Sequence, residues 1–154
     1  MSRLNSASHL ALCASQLQDA SKWLQRSFEQ CQPIDITKPL TAEQYDALEN
    51  LSSRFARVVD ILINKLYRAI DVAELLEAGS LIDTINRAVK KGLLEDNQTA
   101  RTLKDIRNEI VHEYVVEDLK NLQLEILRYT TILLELVKVA LSYIDDNKLT
   151  QHSE

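Results

Sequence analysis

The chain has 154 residues, a net charge of −5 and 45% hydrophobic residues, enough to bury a core without disulfide or metal staples. Two glycines and two prolines allow few tight turns, which favours long helices and few connections. The longest apolar run, Leu10 to Ala14, falls far short of the roughly 20 residues that cross a bilayer, which argues against a membrane partner.

The N-terminus carries Arg3 but no apolar segment behind it, so the sequence predicts a protein that stays in the cytoplasm. Cys13 and Cys31 stand alone, without metal-type spacing, and read as buried free thiols of a reducing compartment. A first amphipathic helix is predicted from about Ser6 to Gln30, with Leu10, Leu17, Trp23, Leu24 and Phe28 among its apolar positions. The stretch Cys31 to Leu40, holding Pro33 and Pro39, breaks it.

Thr41 with Gln44 three residues on forms a capping-box pattern that opens a second helix. That helix carries Leu48, Leu51, Phe55, Val58, Leu62, Leu66 and Ile70 at three- and four-residue steps, and is expected to reach Glu77 before Gly79 ends it. Ser80 to Lys91 makes a shorter helix closed by Gly92. Asn97 or Thr99 opens the next helix, expected to end soon after Tyr114.

The last helix, about Leu119 to Ile144, is the most apolar, with Leu122, Ile126, Tyr129, Leu133, Leu136 and Ala140 on one line and Leu127, Leu134 and Leu141 on another. So wide an apolar face requires a central place in a bundle or a subunit interface. The expected fold is all-α: an antiparallel four-helix bundle with one extra short helix, in a single domain over residues 1–154 with its core at about 6–145.

Residues 107–114, Arg-Asn-Glu-Ile-Val-His-Glu-Tyr, concentrate the reactive side chains. Arg107 offers a planar fork of donors suited to an anionic phosphate. His112 titrates near neutral pH and suits proton transfer at the reacting oxygens. Together they suit chemistry on a phosphodiester without a metal, and no cofactor is implied. Between residues 87 and 107, Arg87, Lys90, Lys91, Arg101, Lys104 and Arg107 outnumber Glu95, Asp96 and Asp105, a local basic stretch suited to a polyanion. Taken singly, His112 fits a helix cap or a solvated partner, Arg107 a salt bridge to Glu109, Glu113 or another helix, and Tyr114 a half-buried aromatic. On a straight helix Arg107 and His112 lie about 140° apart, so one helix does not aim both at one phosphate. Either the helix unwinds near His112 or a two-fold dimer builds a composite site, and the over-apolar last helix favours the dimer.

Arg107, Asn108, His112 and Tyr114 match the Arg-polar-x-x-x-His motif of HEPN domains, and the chain resembles HepT-like toxins in the Arg-x-x-x-x-His-x-Tyr form of that motif. The resemblance extends to chain length, helical content and the place of the motif before the last long helix. It implies a homodimeric four-helix-bundle endoribonuclease that needs no metal, with Arg107 and His112 catalytic and Asn108 assisting; the basic stretch then offers Arg101, Lys104, Lys90 and Lys91 as candidates to bind RNA. It also implies a partner, an MntA-like nucleotidyltransferase antitoxin that attaches AMP to Tyr114. Nucleophilic attack would come from RNA's own 2′-hydroxyl, so DNA would not be cut. The competing expectation is a non-catalytic HEPN subunit that binds substrate or regulates a minimal nucleotidyltransferase.

Overall fold

A computed structural model describes residues 2–112 and 119–151 of the chain. Helix α1 spans Arg3–Cys31, opened by Ser2, whose side chain accepts from the Asn5 backbone N–H. Helix α2 spans Ala42–Val59, and both halves of the Thr41–Gln44 capping box are formed, at 3.1 and 2.9 Å. It runs without a break into a π-helical segment, Asp60–Leu66, and then into α3, Tyr67–Ala73. Helix α4 is Leu81–Lys90, α5 is Asn97–Val111 and α6 is Leu119–Asp146. The described residues form a helical bundle with no strand.

The π segment has a cause in the sequence. Val58, Leu62, Leu66 and Ile70 follow one another at three successive four-residue steps, which would drift about 120° round a regular α-helix. A wider turn with i→i+5 bonds absorbs that drift. All four side chains are fully buried as a result. This long α2–π–α3 rod, rather than α6, packs against every other helix.

One apolar cluster draws on all the helices. Leu10, Leu17, Leu24 and Phe28 contribute from α1, whereas Trp23, expected among the apolar positions, is 55% exposed. On α6 the buried line is Leu122, Ile126, Thr130, Leu133, Val137, Ala140 and Ile144. Tyr129 and Leu136, expected on it, are half-buried one step away, with Leu127, Leu134 and Leu141 also packed at the edge of the core. Thr130 is tolerated inside because its hydroxyl donates to the Ile126 carbonyl at 2.6 Å. Cys13 and Cys31 are buried and free, and burial pushes both thiols up.

The second long helix ends earlier than its glycine signal implied. Leu75, not Gly79, takes the left-handed conformation (φ 66°), and the Leu76 N–H closes onto the Asp71 carbonyl at 2.9 Å. Gly92 (φ 80°) closes α4 as expected, with the Leu93 N–H donating to the Ala88 carbonyl. Between these two ends sits a polar cluster. Asp71, buried on α3, accepts from Arg87 and Lys91, while Lys91 also lies 2.8 Å from Glu74. The Tyr143 hydroxyl of α6 donates to Glu74 at 2.6 Å, so α3, α4 and α6 are tied through paired charges.

Candidate functional site around Arg107

Asp96 caps α5 by accepting from the Thr99 backbone N–H at 2.8 Å, and the helix begins at Asn97, one of the two expected starts. Ala100, Leu103 and Ile106 then bury one face, and α5 packs on α2 and α6. Arg107 follows Ile106 and so emerges at the seam between α5 and α2, half-buried. There its Nε donates to Asp60 Oδ1 at 2.8 Å and its Nη2 to Asp60 Oδ2 at 3.1 Å. This two-bond fork against a carboxylate fixes the plane of the guanidinium. Asn64, one turn on, donates to the same carboxylate at 3.4 Å.

Asp60 is the residue that the motif reading missed. It is the first residue of the π segment, in the place where π turns recur at functional sites. A signal was present: one acid interrupts the apolar run Val58 to Ile63. An ionised group in such a run requires a partner.

Asn108 is exposed beside Arg107, with its Oδ1 3.4 Å from Arg107 Nη1. Of the five N–H donors of the guanidinium, two are therefore engaged by Asp60 and the Nη1 edge is left toward Asn108 and solvent.

His112 does not continue the helix. Val111 is the last helical residue, and His112 sits at the C-cap with extended backbone (φ −84°, ψ 135°), its N–H donating to the Asn108 carbonyl at 3.1 Å. The expectation of a helix running past Tyr114 is corrected at this point, because the chain leaves the helical path two residues before that tyrosine. The His112 N–H still bonds the Asn108 carbonyl and its φ stays close to helical, so its side chain leaves α5 about 140° round from Arg107 and the chain turns away only after it. The imidazole is exposed and makes no hydrogen bond to Arg107 or Asn108. Tyr114 itself lies outside the described residues, as does Glu113, so the alternative pairing of Arg107 with Glu113 falls outside them too.

The basic stretch is thinner in three dimensions than in sequence. Lys91 is neutralised inside the protein by Asp71 and Glu74, and Arg87 by Asp71, with a further bond to the Glu77 carbonyl at 2.7 Å. Lys91 is therefore removed from the surface cations expected to meet RNA. The sequence hid this, since its partners lie 17 and 20 residues back, across a helix end. Lys90 and Arg101 are exposed and Lys104 is half-buried on α5 one turn from Arg107.

Among the described residues no group of three or more His, Cys, Asp or Glu side chains is arranged to hold a metal ion, and no helix there is long and apolar enough to cross a membrane. In comparisons with known proteins, no family model, no curated protein and no solved structure matches the chain.

Proposed function

We propose that the protein is a HEPN-type endoribonuclease of the HepT-like toxin class, cutting RNA by attack of the 2′-hydroxyl on the adjacent phosphate. The observation that carries this reading is the end of α5. There a guanidinium fixed by Asp60 and an exposed imidazole at the C-cap lie within one helical turn and a half of each other along α5.

In the proposed reaction Arg107 holds a non-bridging phosphoryl oxygen through its Nη1 edge and stabilises the charge that develops there. His112 moves the proton of the attacking 2′-hydroxyl or of the departing 5′-oxygen, a role worth about 10²–10⁴ in rate. Asn108 braces Arg107 and offers its amide to the same phosphate. The bond formed joins O2′ to phosphorus and the bond broken is P–O5′, giving a 2′,3′-cyclic phosphate and a free 5′-hydroxyl. The 2′-hydroxyl supplies the nucleophile, so the scheme calls for no metal and activity survives excess chelator.

The proposal includes a homodimer that sets two such helix ends side by side, supported by the exposed Val111 of α5 and Ile132 of α6. It also includes a nucleotidyltransferase partner that silences the enzyme by attaching AMP to Tyr114, which lies two residues beyond His112 in the sequence. A phosphate and nucleoside placed there repel and block an incoming RNA backbone.

A second reading, a non-catalytic subunit that pairs with a nucleotidyltransferase, is favoured by one observation. Asp60 makes Arg107 part of a neutral pair, and a binding module needs no more than that.

Incubation with end-labelled RNA, with the same sequence as DNA, and with DNA carrying a single ribonucleotide separates the two readings. Cleavage only where a 2′-hydroxyl is present, lost in Arg107→Ala and His112→Ala, is expected. Cutting of all-deoxy substrate, or full activity in His112→Ala, overturns the nuclease reading.

A further inference from the structure

Across the α2 rod from Arg107 lies a second basic feature. A cleft of about 210 Å³ is lined by Ala20 and Trp23 of α1 and by Arg54 and Arg57 of α2. The indole of Trp23 is more than half exposed, with the Arg54 guanidinium over it at 5.2 Å from the ring centroid. Arg54 is held in that pose by Ser27, whose hydroxyl oxygen accepts at 2.6 Å, and by the Trp23 carbonyl at 3.4 Å.

Both partners of Arg54 are neutral, and among the described residues neither Arg54 nor Arg57 is in an ion pair with a carboxylate. Lys22 and Arg26 are exposed on either side of Trp23. The acids within a turn of these groups are Asp19, Glu29, which accepts from Gln25 at 3.0 Å, and Asp60, which is committed to Arg107. The large aromatic face of Trp23 is exposed at some cost in solvation, beside the exposed Arg57 and the half-buried Arg54.

Arg54, Arg57 and Asp60 descend α2 at three-residue steps. Each step advances about 4.5 Å and turns about 60° in the same sense, so Arg57, at the edge of the cleft, lies midway between Arg54 and Asp60 along the rod. Arg54 and Arg57 thus step along α2 toward Asp60, which holds the proposed catalytic guanidinium.

We propose that this cleft is a stacking subsite for the single-stranded RNA cut at Arg107 and His112, a reading that rests on the function proposed above. A base of the strand stacks on Trp23 and its Arg54 lid, and Arg57 pairs with a phosphate between that base and the scissile one. Stacking on an aromatic ring is tolerant of sequence, because every base has a π-face. The surroundings of the ring are charged rather than apolar, which suits a nucleic acid better than a lipid surface.

Trp23 is the only tryptophan in the chain, so its fluorescence reports on this cleft alone. The test titrates full-length His112→Ala protein with a mixed-sequence single-stranded hexaribonucleotide. Trp23 emission and the anisotropy of a dye-labelled copy of the oligonucleotide are followed together.

Saturable quenching that tracks the anisotropy is expected. Trp23→Ala should weaken the affinity about 5- to 150-fold, with Trp23→Phe recovering part of it. Arg57→Gln should reduce the salt slope by about 1. Absence of binding, or binding that leaves Trp23 emission and the affinity of Trp23→Ala unchanged, overturns the proposal. So does equal quenching by polyglutamate or by anionic vesicles, or an emission change that follows protein concentration alone, which would put a second copy on the cleft. Cleavage that needs Arg107 and His112 but ignores Trp23→Ala removes the cleft and leaves the nuclease. Saturable quenching without any cleavage does the reverse.

Discussion

Replacing Asp60 by asparagine tests whether the carboxylate beneath Arg107 serves the fold or the site. Asparagine keeps the shape and one acceptor, so the 2.8 Å bond from Arg107 Nε is retained. The second bond, 3.1 Å from Nη2 to Oδ2, is replaced by two donors facing each other, and the guanidinium must swing toward Asn108. The arginine and aspartate side chains are 32% and 35% exposed, so water screens the pair. Its contribution to stability is then near the upper end for surface ion pairs, about 1 kcal/mol. In a domain of this size that lowers Tm by about 2–4 °C. A phosphate-binding group displaced by an ångström costs about 10²-fold in rate. Circular dichroism melts and initial rates on labelled RNA should therefore diverge, with a small thermal loss and a large kinetic one. The charge swap Asp60→Arg with Arg107→Asp should recover the melt and not the rate. A swap that restores cleavage, or an Asp60→Asn protein that melts more than 5 °C lower yet cuts at the wild-type rate, would refute the positioning role.

The other predictions concern the core, the interface and the titrating groups. Leu133→Ala should cost about 2–5 kcal/mol in denaturant unfolding, since that side chain is fully buried within one chain. By contrast Ile132→Asp, at a position 38% exposed, should leave helicity intact and shift sedimentation from dimer to monomer. Leu75→Gly should raise stability by about 0.5–1 kcal/mol, because relief of the left-handed strain exceeds the entropy that glycine adds to the unfolded chain, and the leucine is 62% exposed. Intact-mass analysis after co-expression with a neighbouring nucleotidyltransferase should show additions of AMP that vanish in Tyr114→Phe. Persistence in that variant would remove the modification site.

Alkaline stability should follow Tyr143, whose phenol is pushed up to about 12 by burial and by its bond to Glu74. The folded state then holds a proton that the unfolded state gives up near pH 10. The stabilisation is thus complete below about pH 10 and lost as pH rises toward 12. Tyr143→Phe should reduce this loss, leaving the part due to Tyr67, which burial also raises. A melt profile for Tyr143→Phe that matches the wild type across that window would contradict the assignment.

Much of the helical plan can be read in the sequence because its signals are local. The Thr41–Gln44 box and the Gly92 stop each act within a few residues, and the structure places both as expected. What escaped the reading was settled between segments distant in sequence. Leu75 accepts a strained backbone because the Asp71 cluster fixes the end of α3. Lys91 leaves the surface because its partners belong to that same end. The site was legible as a motif but not as a geometry. Asp60 lies 47 residues before Arg107, and no spacing rule links them. The end of the helix at His112 was hidden as well, because no glycine or proline marks it in the sequence.

The π turn in the central rod carries a consequence for how this chain tolerates change in length. An i→i+5 ring encloses one residue more than an i→i+4 ring, so losing a single residue from Asp60–Leu66 converts the wide turn to a regular one. The faces before and after it would keep nearly their present directions. Loss of exposed Asn64 should therefore be survivable, whereas removal of any residue between Leu48 and Phe55 would rotate everything downstream by about 100° and pull Asp71 out of its cluster. Natural variation in length along this rod should concentrate in those seven residues.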